Sequence, residues 1–348
     1  MNLKELTVLE NQTIKEAMEK MDANAQKIIY VINEKDELTG VFSDGDLRRW
    51  ILKESGNIQQ QVSEAMNTSP VTIFSSSINN ADKILHDKSI NSIAVIDTDN
   101  VLKTIIFASN KFVTKDRLEI PVVIMAGGKG TRLYPYTKII PKPLIPIGDT
   151  PIIERIMNKF LDYGMNRFLI SVNYKKNMIK SYFSDEDHPY NLNFIEELKP
   201  LGTGGSLSLM KEQLDDDFFV SNCDILVTAD YVDIYEFHKK NNHDITMVAS
   251  IKNTQIPYGV LELDENGMLA TTVEKPEYSH LINTGMYLIN KDILDFVPED
   301  EYSELPTIIM NAKAAGKRVG VYPVSENSWL DMGQIKEMEQ MIERLGVD

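Results

Sequence analysis

The run Val122-Val123-Ile124-Met125-Ala126-Gly127-Gly128-Lys129-Gly130-Thr131-Arg132-Leu133 constrains this chain more than any other stretch. A short apolar segment breaks off into Gly127, Gly128 and Gly130, and cations follow at once. Continuous apolar runs of this kind read as strands of a buried parallel sheet. Glycine after such a strand lets the backbone turn tightly and approach a ligand with no Cβ in the way. Lys129, Arg132 and, ten residues further on, Lys142 of Pro141-Lys142-Pro143 set positive charge beside the exposed loop amides. A strand, a glycine turn and cations together make a cradle for phosphate.

Two familiar phosphate loops do not fit. A Walker A loop needs Gly-Lys followed by Ser or Thr, and Lys129 is followed by Gly130. The dinucleotide fingerprint fails as well, because Gly128-x-Gly130 runs into Arg132-Leu133 and a proline-rich segment rather than a helix. The stretch from Ala126 through Gly130-Thr131-Arg132-Leu133 to Pro135, followed by Pro141-Lys142-Pro143, instead resembles the signature of the sugar-1-phosphate nucleotidyltransferases. That resemblance implies a Rossmann-like, mostly parallel α/β sheet. It also implies transfer of a nucleoside monophosphate from an NTP to a sugar-1-phosphate, with pyrophosphate released and Mg²⁺ as cofactor. By the same resemblance Met125, Ala126, Gly127 and Gly128 lie on the nucleotide, while Arg132 and Lys142 are the catalytic cations.

Composition agrees with a small-molecule enzyme. At 348 residues, 43% hydrophobic and 25% charged, the chain is long enough for two globular domains. A formal net charge of −16 argues against a nucleic-acid surface, which would be basic. No apolar run approaches the ~18 residues a membrane span needs, so neither nucleic acid nor membrane is an expected partner. The opening Met1-Asn2-Leu3-Lys4 has no apolar signal core, which implies a cytoplasmic chain. The single cysteine, Cys223, excludes an internal disulfide and any cysteine-cluster zinc site.

Residues 1–118 carry a weak internal repeat, in halves of about 1–60 and 61–118. Ile14, Ala17, Met18 and Met21 fall at helical spacing, before the strand-like Ile28–Ile32, a turn at Glu34–Glu37 and Leu38–Phe42. The order recurs with a helix over Ile78–Leu85, a strand over Ser92–Ile96, a turn at Asp97–Asn100 and a strand over Val101–Phe107. This arrangement resembles a pair of CBS domains, the tandem (α+β) adenosine-nucleotide sensor. Gly40-Val41-Phe42-Ser43-Asp44-Gly45-Asp46 matches that family's closing motif, and Met66–Ile73 its opening segment. The resemblance gives Ser43 and Asp46 the phosphate and ribose of an adenine nucleotide. The second copy lacks an acidic residue before its final helix, so a purely structural pair is the other expectation. The polar stretch Thr114–Pro121 separates this module from a nucleotidyltransferase domain over 119–348.

From Pro121 onward, strands and helices alternate as in a parallel sheet wrapped by helices. Pro151–Gly164 reads as a helix: proline in the first turn, an apolar stripe from Ile152 to Leu161, and Gly164 as the stop. Pro200-Leu201-Gly202-Thr203-Gly204-Gly205-Ser206 should open a helix running through Leu214. In the resembling family the corresponding segment lies against base and ribose, which implicates Gly202 and Thr203, together with Glu197 and Pro200. Phe218–Asp224 reads as a buried strand that turns polar only at its C-terminal end, the edge where open α/β sheets bind ligands. Asp224 therefore has the position and the hard oxygen of a Mg²⁺ ligand.

Three later elements follow the family's order: Tyr258-Gly259, Glu274-Lys275-Pro276 and Asn283-Thr284-Gly285. The resemblance places Tyr258, Gly259, Glu274, Lys275, Asn283 and Thr284 around the sugar phosphate. Trp329-Leu330-Asp331 resembles the late element whose aspartate is the second metal ligand. Gln334–Leu345 reads as an amphipathic helix that packs or dimerises, consistent with a homo-oligomer.

The implied reaction needs no general base, because the attacking phosphate oxygen is already ionised near neutral pH. A CBS pair joined to this transferase resembles a subgroup of bacterial guanylyltransferases. GTP and glucosamine-1-phosphate are then the implied substrates, giving GDP-glucosamine for surface-glycan or nonulosonic (legionaminic) acid biosynthesis. Mannose-1-phosphate guanylyl transfer, a uridylyl or thymidylyl relative, and a nucleotide-responsive binding protein without catalysis are the alternatives.

Overall fold

A computed structural model describes residues 3–24, 26–54, 57–74, 81–88, 90–108, 118–184 and 188–347. Residues 78–80 of the expected second-copy helix, residues 109–110 and residues 114–117 of the expected linker lie outside these. Two compact units result: Met1–Val113 with Ile251–Leu281, and Thr114–Ser250 with Ile282–Asp348. Residues 251–281, which the sequence places within the transferase domain, thus group with the first unit.

The first unit contains the repeat. Its first half is β1 (Thr7–Leu9), α1 (Ile14–Asn24), β2 (Ile28–Ile32), β3 (Leu38–Ser43) and α2 (Asp44–Glu54). The second half is β4 (Thr72–Phe74), α3 (Ala81–Asp87), β5 (Ser92–Ile96) and β6 (Leu102–Phe107). Each half makes the same small sheet, in which β1 runs parallel to β2 and β2 antiparallel to β3, as β4 does to β5 and β5 to β6. Both hairpins even shift register at equivalent places, Val31/Ile32 and Val95/Ile96. The halves exchange matching bonds, Leu38 N to Asn100 O at 2.9 Å and Leu102 N to Asp36 O at 3.0 Å. Tyr30, Leu38 and Val41 share a core with Ala94, Ile96 and Leu102, so neither half buries its apolar face alone.

Ser43 and Asp46 form a capping box at the start of α2. Ser43 N and Oγ donate to Asp46 Oδ2 at 3.0 and 2.6 Å, and Arg49 Nη2 donates to Oδ1 at 2.5 Å.

The second unit follows with β7 (Val122–Met125), α4 (Tyr136–Ile139), β8 (Pro146–Ile147), β9 (Thr150–Pro151), α5 (Ile152–Leu161) and β10 (Arg167–Val172). Next come α6 (Lys176–Ser184), β11 (Asn191–Glu196), α7 (Gly202–Gly205), β12 (Phe218–Asn222), β13 (Ile225–Val227), α8 (Tyr231–Lys240) and β14 (Ile245–Gln255). The hairpin β15 (Val260–Leu263) and β16 (Leu269–Val273) belongs to the first unit. β17 (Glu277–Ile289), α9 (Leu305–Ala314), β18 (Val319–Val324), β19 (Trp329–Asp331) and α10 (Ile335–Leu345) complete the chain.

A seven-stranded sheet, ordered β11-β10-β7-β12-β17-β14-β18, forms the scaffold. β7 lies parallel to both β10 and β12, and β10 parallel to β11, while β17 pairs antiparallel with β12. Apolar faces of both signs explain the strand sequences. Val122 and Ile124 point into one core with Ile153, Ile156 and Phe160 of α5. Val123 and Met125 point into the other with Leu305, Ile308 and Ile309 of α9. A sheet covered on both sides has no polar face, which is why Val122–Met125 reads as unbroken apolar sequence. Each fully buried side chain of this sort contributes roughly 1.5–3 kcal/mol.

The segment after Gly205 departs from the expected helix through Leu214. A single α-turn is followed by a 3₁₀ stretch, Ser206–Gln213. Glycines start a helix poorly. The amides of Gly204 and Gly205 are moreover drawn to the carbonyl of Ser303, at 2.8 and 3.0 Å.

One buried carboxylate fastens α8 to the sheet. Asp217 is 1% exposed; Asn290 Nδ2 donates to it at 2.9 Å, and it pairs with His238 and Lys239. Burial alone would push Asp217 up, but the bonds from His238, Lys239 and Asn290 prevail and hold it at about 2. A depressed carboxylate adds stability that is fully present above the unfolded value and fades as pH falls from about 4 towards 2. Asp217→Asn should therefore cost on the order of 2 kcal/mol at pH 7. The difference from wild type should shrink in denaturant titrations run at pH 3.

Candidate functional site

The C-terminal ends of β7, β10, β11 and β12 lie side by side because of register. Met125 stands opposite Ser171 on one flank and Asn222 on the other. A cleft of about 420 Å³ opens at this edge, where chain reversals in open α/β sheets leave room for ligands.

One end of the cleft is cationic. Its walls carry Gly127, Gly128, Gly130, Thr131, Arg132 and Lys142. Gly130 is left-handed, φ 63°, and a Cβ there would lie 3.1 Å from Lys142 Cβ and 3.0 Å from Thr137 Cγ2. The Thr137 hydroxyl donates to Gly130 O at 2.8 Å and closes the loop. A Cβ on Gly128 would meet nothing within 4 Å. Lys142 is buried and its ammonium donates to Asp224 Oδ2. Lys129, grouped with Arg132 and Lys142 on sequence, is exposed and absent from the cleft wall.

Asp224 follows directly after β12, and Asp331 ends β19. β13 and β19 pair antiparallel with Ile225 opposite Asp331, and Met332 N donates to Asp224 O at 2.8 Å. This ladder brings together two carboxylates separated by more than a hundred residues of sequence. Burial first, then the Asp224 charge, raises Asp331 above the ordinary aspartate value. No group of three or more His, Cys, Asp or Glu side chains suited to a metal occurs among the described residues. The adjacent Cys223 lines the cleft, but burial and then Asp224 push its thiol up to about 12. Such a thiol stays protonated and is no nucleophile near neutral pH.

The other end is walled by Glu197, Pro200, Gly202 and Thr203, with Tyr302 and Glu304 facing them. Glu197 is 6% exposed. It accepts from Ser171 Oγ and, at 2.9 Å, from Leu201 N, and Asn173 Nδ2 donates to its carbonyl at 2.8 Å. A Cβ on Gly127 would come within 2.5 Å of Glu197 Oε1, so only glycine lets the first loop close against this carboxylate. Ala126 is buried behind the loop, its amide donating to Ser171 O at 2.9 Å.

The remaining sequence-derived residues are not among those lining the cleft. Tyr258, Gly259, Glu274 and Lys275 are exposed on the 251–281 arm of the first unit. There Lys275, left-handed at φ 46°, donates its amide to Tyr258 O at 3.2 Å, and a Cβ on Gly259 would lie 2.9 Å from Glu274 Oε2. Thr284 is buried in the second unit and spends its hydroxyl on Val248 O at 2.7 Å. Asn283 Nδ2 donates to the Tyr287 hydroxyl at 2.7 Å. Tyr302 and Glu304 escaped sequence reasoning, since nothing near them forms a motif.

The model of the nucleotidyl transferase family matches residues 121–346, the whole span that builds this cleft. The chain belongs to that family. Residues 1–53 match the CBS domain. Among curated relatives, a mannose-1-phosphate guanyltransferase of Yarrowia lipolytica is 33% identical over 228 residues, covering 62% of this chain and 61% of the relative. The mannose-1-phosphate guanyltransferase of Saccharomyces cerevisiae is 30% identical over 230 residues, covering 62% of each. This chain thus spans about three-fifths of the length of the curated relatives it matches. HddC from Yersinia pseudotuberculosis superposes with a TM-score of 0.52 at 27% identity, covering 65% of this chain and 99% of that one. A structure of HddC complexed with GMP-PN gives a TM-score of 0.50 over the same shares, also at 27% identity. No helix among the described residues is long and apolar enough to cross a membrane.

The two loop glycines should separate in a stability measurement. Gly130→Ala forces a side chain into left-handed backbone and should cost about 1–2 kcal/mol in thermal unfolding. Gly128→Ala points its methyl into open space and should stay within about 0.5 kcal/mol of wild type.

Proposed function

We propose that the chain transfers guanosine monophosphate from GTP to a sugar-1-phosphate, releasing pyrophosphate and forming a GDP-sugar. The observation that carries this reading is a single cleft with a cationic glycine loop and Asp224 at one end, joined to Asp331 through the β13–β19 ladder, and a buried carboxylate at the other. A sugar-phosphate oxygen attacks the α-phosphorus of GTP, and the bond to the pyrophosphate oxygen breaks. Both reactants are anions, so the enzyme's work is positioning and charge neutralisation. Arg132 and the amides of Gly127 and Gly128 hold the β- and γ-phosphates, and Lys142 offsets charge at the α-phosphoryl group.

Asp224 and Asp331 fit a divalent cation of the Mg²⁺ type: hard oxygens, side by side, with mutual repulsion that a dication would relieve. Such an ion, when bound, neutralises substrate phosphate oxygens.

Guanine is favoured by Glu197. A carboxylate only accepts hydrogen bonds, and each oxygen keeps a lone pair beyond those used by Ser171 and Leu201 N. Guanine offers adjacent donors, N1–H and the 2-amino group. Uracil and thymine offer one N–H flanked by carbonyls that the carboxylate would repel. The relatives named as guanyltransferases support the same base.

Roles at the sugar rest on motif. By motif Glu274 would accept from sugar hydroxyls and Lys275 would pair with the sugar phosphate; Tyr258, Gly259, Asn283 and Thr284 carry the same expectation from the family's order of elements. Glucosamine-1-phosphate follows from the resemblance of the whole chain; mannose-1-phosphate is the sugar in the relatives' names. The CBS module takes an adenine nucleotide, with Ser43 and Asp46 as its contacts.

A panel of four NTPs against glucosamine-, mannose- and glucose-1-phosphate, scored by pyrophosphate release with Mg²⁺, tests the reading. GTP should be the preferred donor, and silence with every pair contradicts the assignment. Adding AMP or ATP to the active pair should change the rate; an unchanged rate and unchanged melting temperature leave the module structural. Lys142→Ala should lower kcat/KM about 10²–10³-fold in a protein that still unfolds cooperatively. Near-normal turnover would remove Lys142 from the mechanism.

A further inference from the structure

The outer wall of the cleft carries a carboxylate to which no motif gives a role. Glu304 occupies the N-cap position of α9, where a short side chain would ordinarily bond the open amides of the first turn. It makes no such bond. Thr203 Oγ1 takes the amide of Leu305 instead, at 3.1 Å. Glu304 is turned the other way, accepting from the Thr203 hydroxyl at 2.7 Å and from the Tyr302 hydroxyl. The Tyr302 bond above all keeps it below the ordinary glutamate range, so it stands as an anion at the cleft wall.

Its placement is set by backbone contacts between two segments. The carbonyl of Ser303 receives the amides of Gly204 and Gly205, and Ser303 N donates to Leu201 O at 2.9 Å. Gly202, at φ +75°, lets the two segments touch; a Cβ there would sit 2.6 Å from Ser303 O. The turn at Tyr302–Glu304 is thus tied by backbone hydrogen bonds to the loop that holds Thr203. A preorganised acceptor loses little freedom on binding, which is how a wall residue gains specificity.

The partner must be a donor. Two carboxylates stand at this end of the cleft, Glu197 buried and Glu304 exposed. A flat base, which gains by leaving water, suits the buried one. Vicinal hydroxyls, which keep some hydration, suit the exposed one. We propose that Glu304 accepts hydrogen bonds from the 2′- and 3′-hydroxyls of the ribose and so makes the cleft select ribonucleoside over deoxyribonucleoside triphosphates. This inference rests on the proposed binding of a nucleoside triphosphate in the cleft.

Calorimetric titration of the intact protein with GTP, 2′-deoxy-GTP and 3′-deoxy-GTP, with Mg²⁺ present, tests it. Wild type should bind GTP about ten- to a hundredfold more tightly than either deoxy analogue, as a hydrogen bond to a charged group requires. Glu304→Gln keeps an acceptor for Thr203, and Glu304→Ala removes it. In both, the preference should fall to about threefold or less, with affinity for the deoxy analogues retained as the sign of an intact fold. Equal binding of GTP and its deoxy analogues by wild type overturns the role of Glu304, as does a preference that survives in both variants. Failure of wild type to bind GTP at all is a different result, which overturns the nucleotide reading beneath it.

Discussion

The second unit depends on holding two aspartates side by side next to a buried lysine. Like charges at close range oppose folding, and low local polarity magnifies the effect. The fold meets this cost with backbone: the β13–β19 ladder, with Ile225 opposite Asp331 and Met332 N on Asp224 O, fixes both carboxylates whatever their charge. Lys142, placed by the Pro141-Lys142-Pro143 turn and braced against Gly130, cancels one of the negative charges. What remains is a surplus of negative oxygen facing a cationic glycine loop. Such an arrangement is costly in an empty protein and useful to one that handles metal-bound phosphates.

The rest of the cleft follows from sheet register. Because Met125, Ser171 and Asn222 are neighbours across three parallel strands, the loops that leave them converge. Ser171 can then orient Glu197, and Gly127 can close against it. Shifting β10 by a single residue would send Ser171 to the opposite face of the sheet and leave Glu197 without its hydroxyl donor.

Much of this was legible in the residues. The loop from Gly127 to Arg132, Lys142 and Asp224 sit at strand ends or in proline-framed turns, so local chemistry announces them. Asp331 was legible only through resemblance, because the ladder that brings it to Asp224 is a long-range pairing. Glu304 left no mark at all: at a helix start it reads as an ordinary polar residue, and only the tertiary contact with Thr203 shows it turned away from the cap. The α-helix expected through Leu214 is instead a short α-turn and a 3₁₀ stretch, at whose start Gly204 and Gly205 give their amides to Ser303. The nucleotidyl transferase family's match runs through 251–281, and this arm nonetheless groups with the first unit. Its Glu274-Lys275 element follows the transferase sequence, yet Ile251 packs with the core around Ile14 and Phe42, and Lys15 pairs with Glu277 at 2.6 Å. Lys15 and Glu277 meet across 262 residues of sequence, a pairing that sequence order does not reveal.

The most direct measurement is the position of bound nucleotide in a crystal of the intact chain grown with Mg²⁺ and a non-hydrolysable GTP analogue. The triphosphate should lie along Gly127–Arg132, with Mg²⁺ on Asp224 and Asp331 and the guanine N1–H and 2-amino group directed at Glu197. A nucleotide bound only in the N-terminal module, or a guanine turned away from Glu197 in the cleft, would contradict the account.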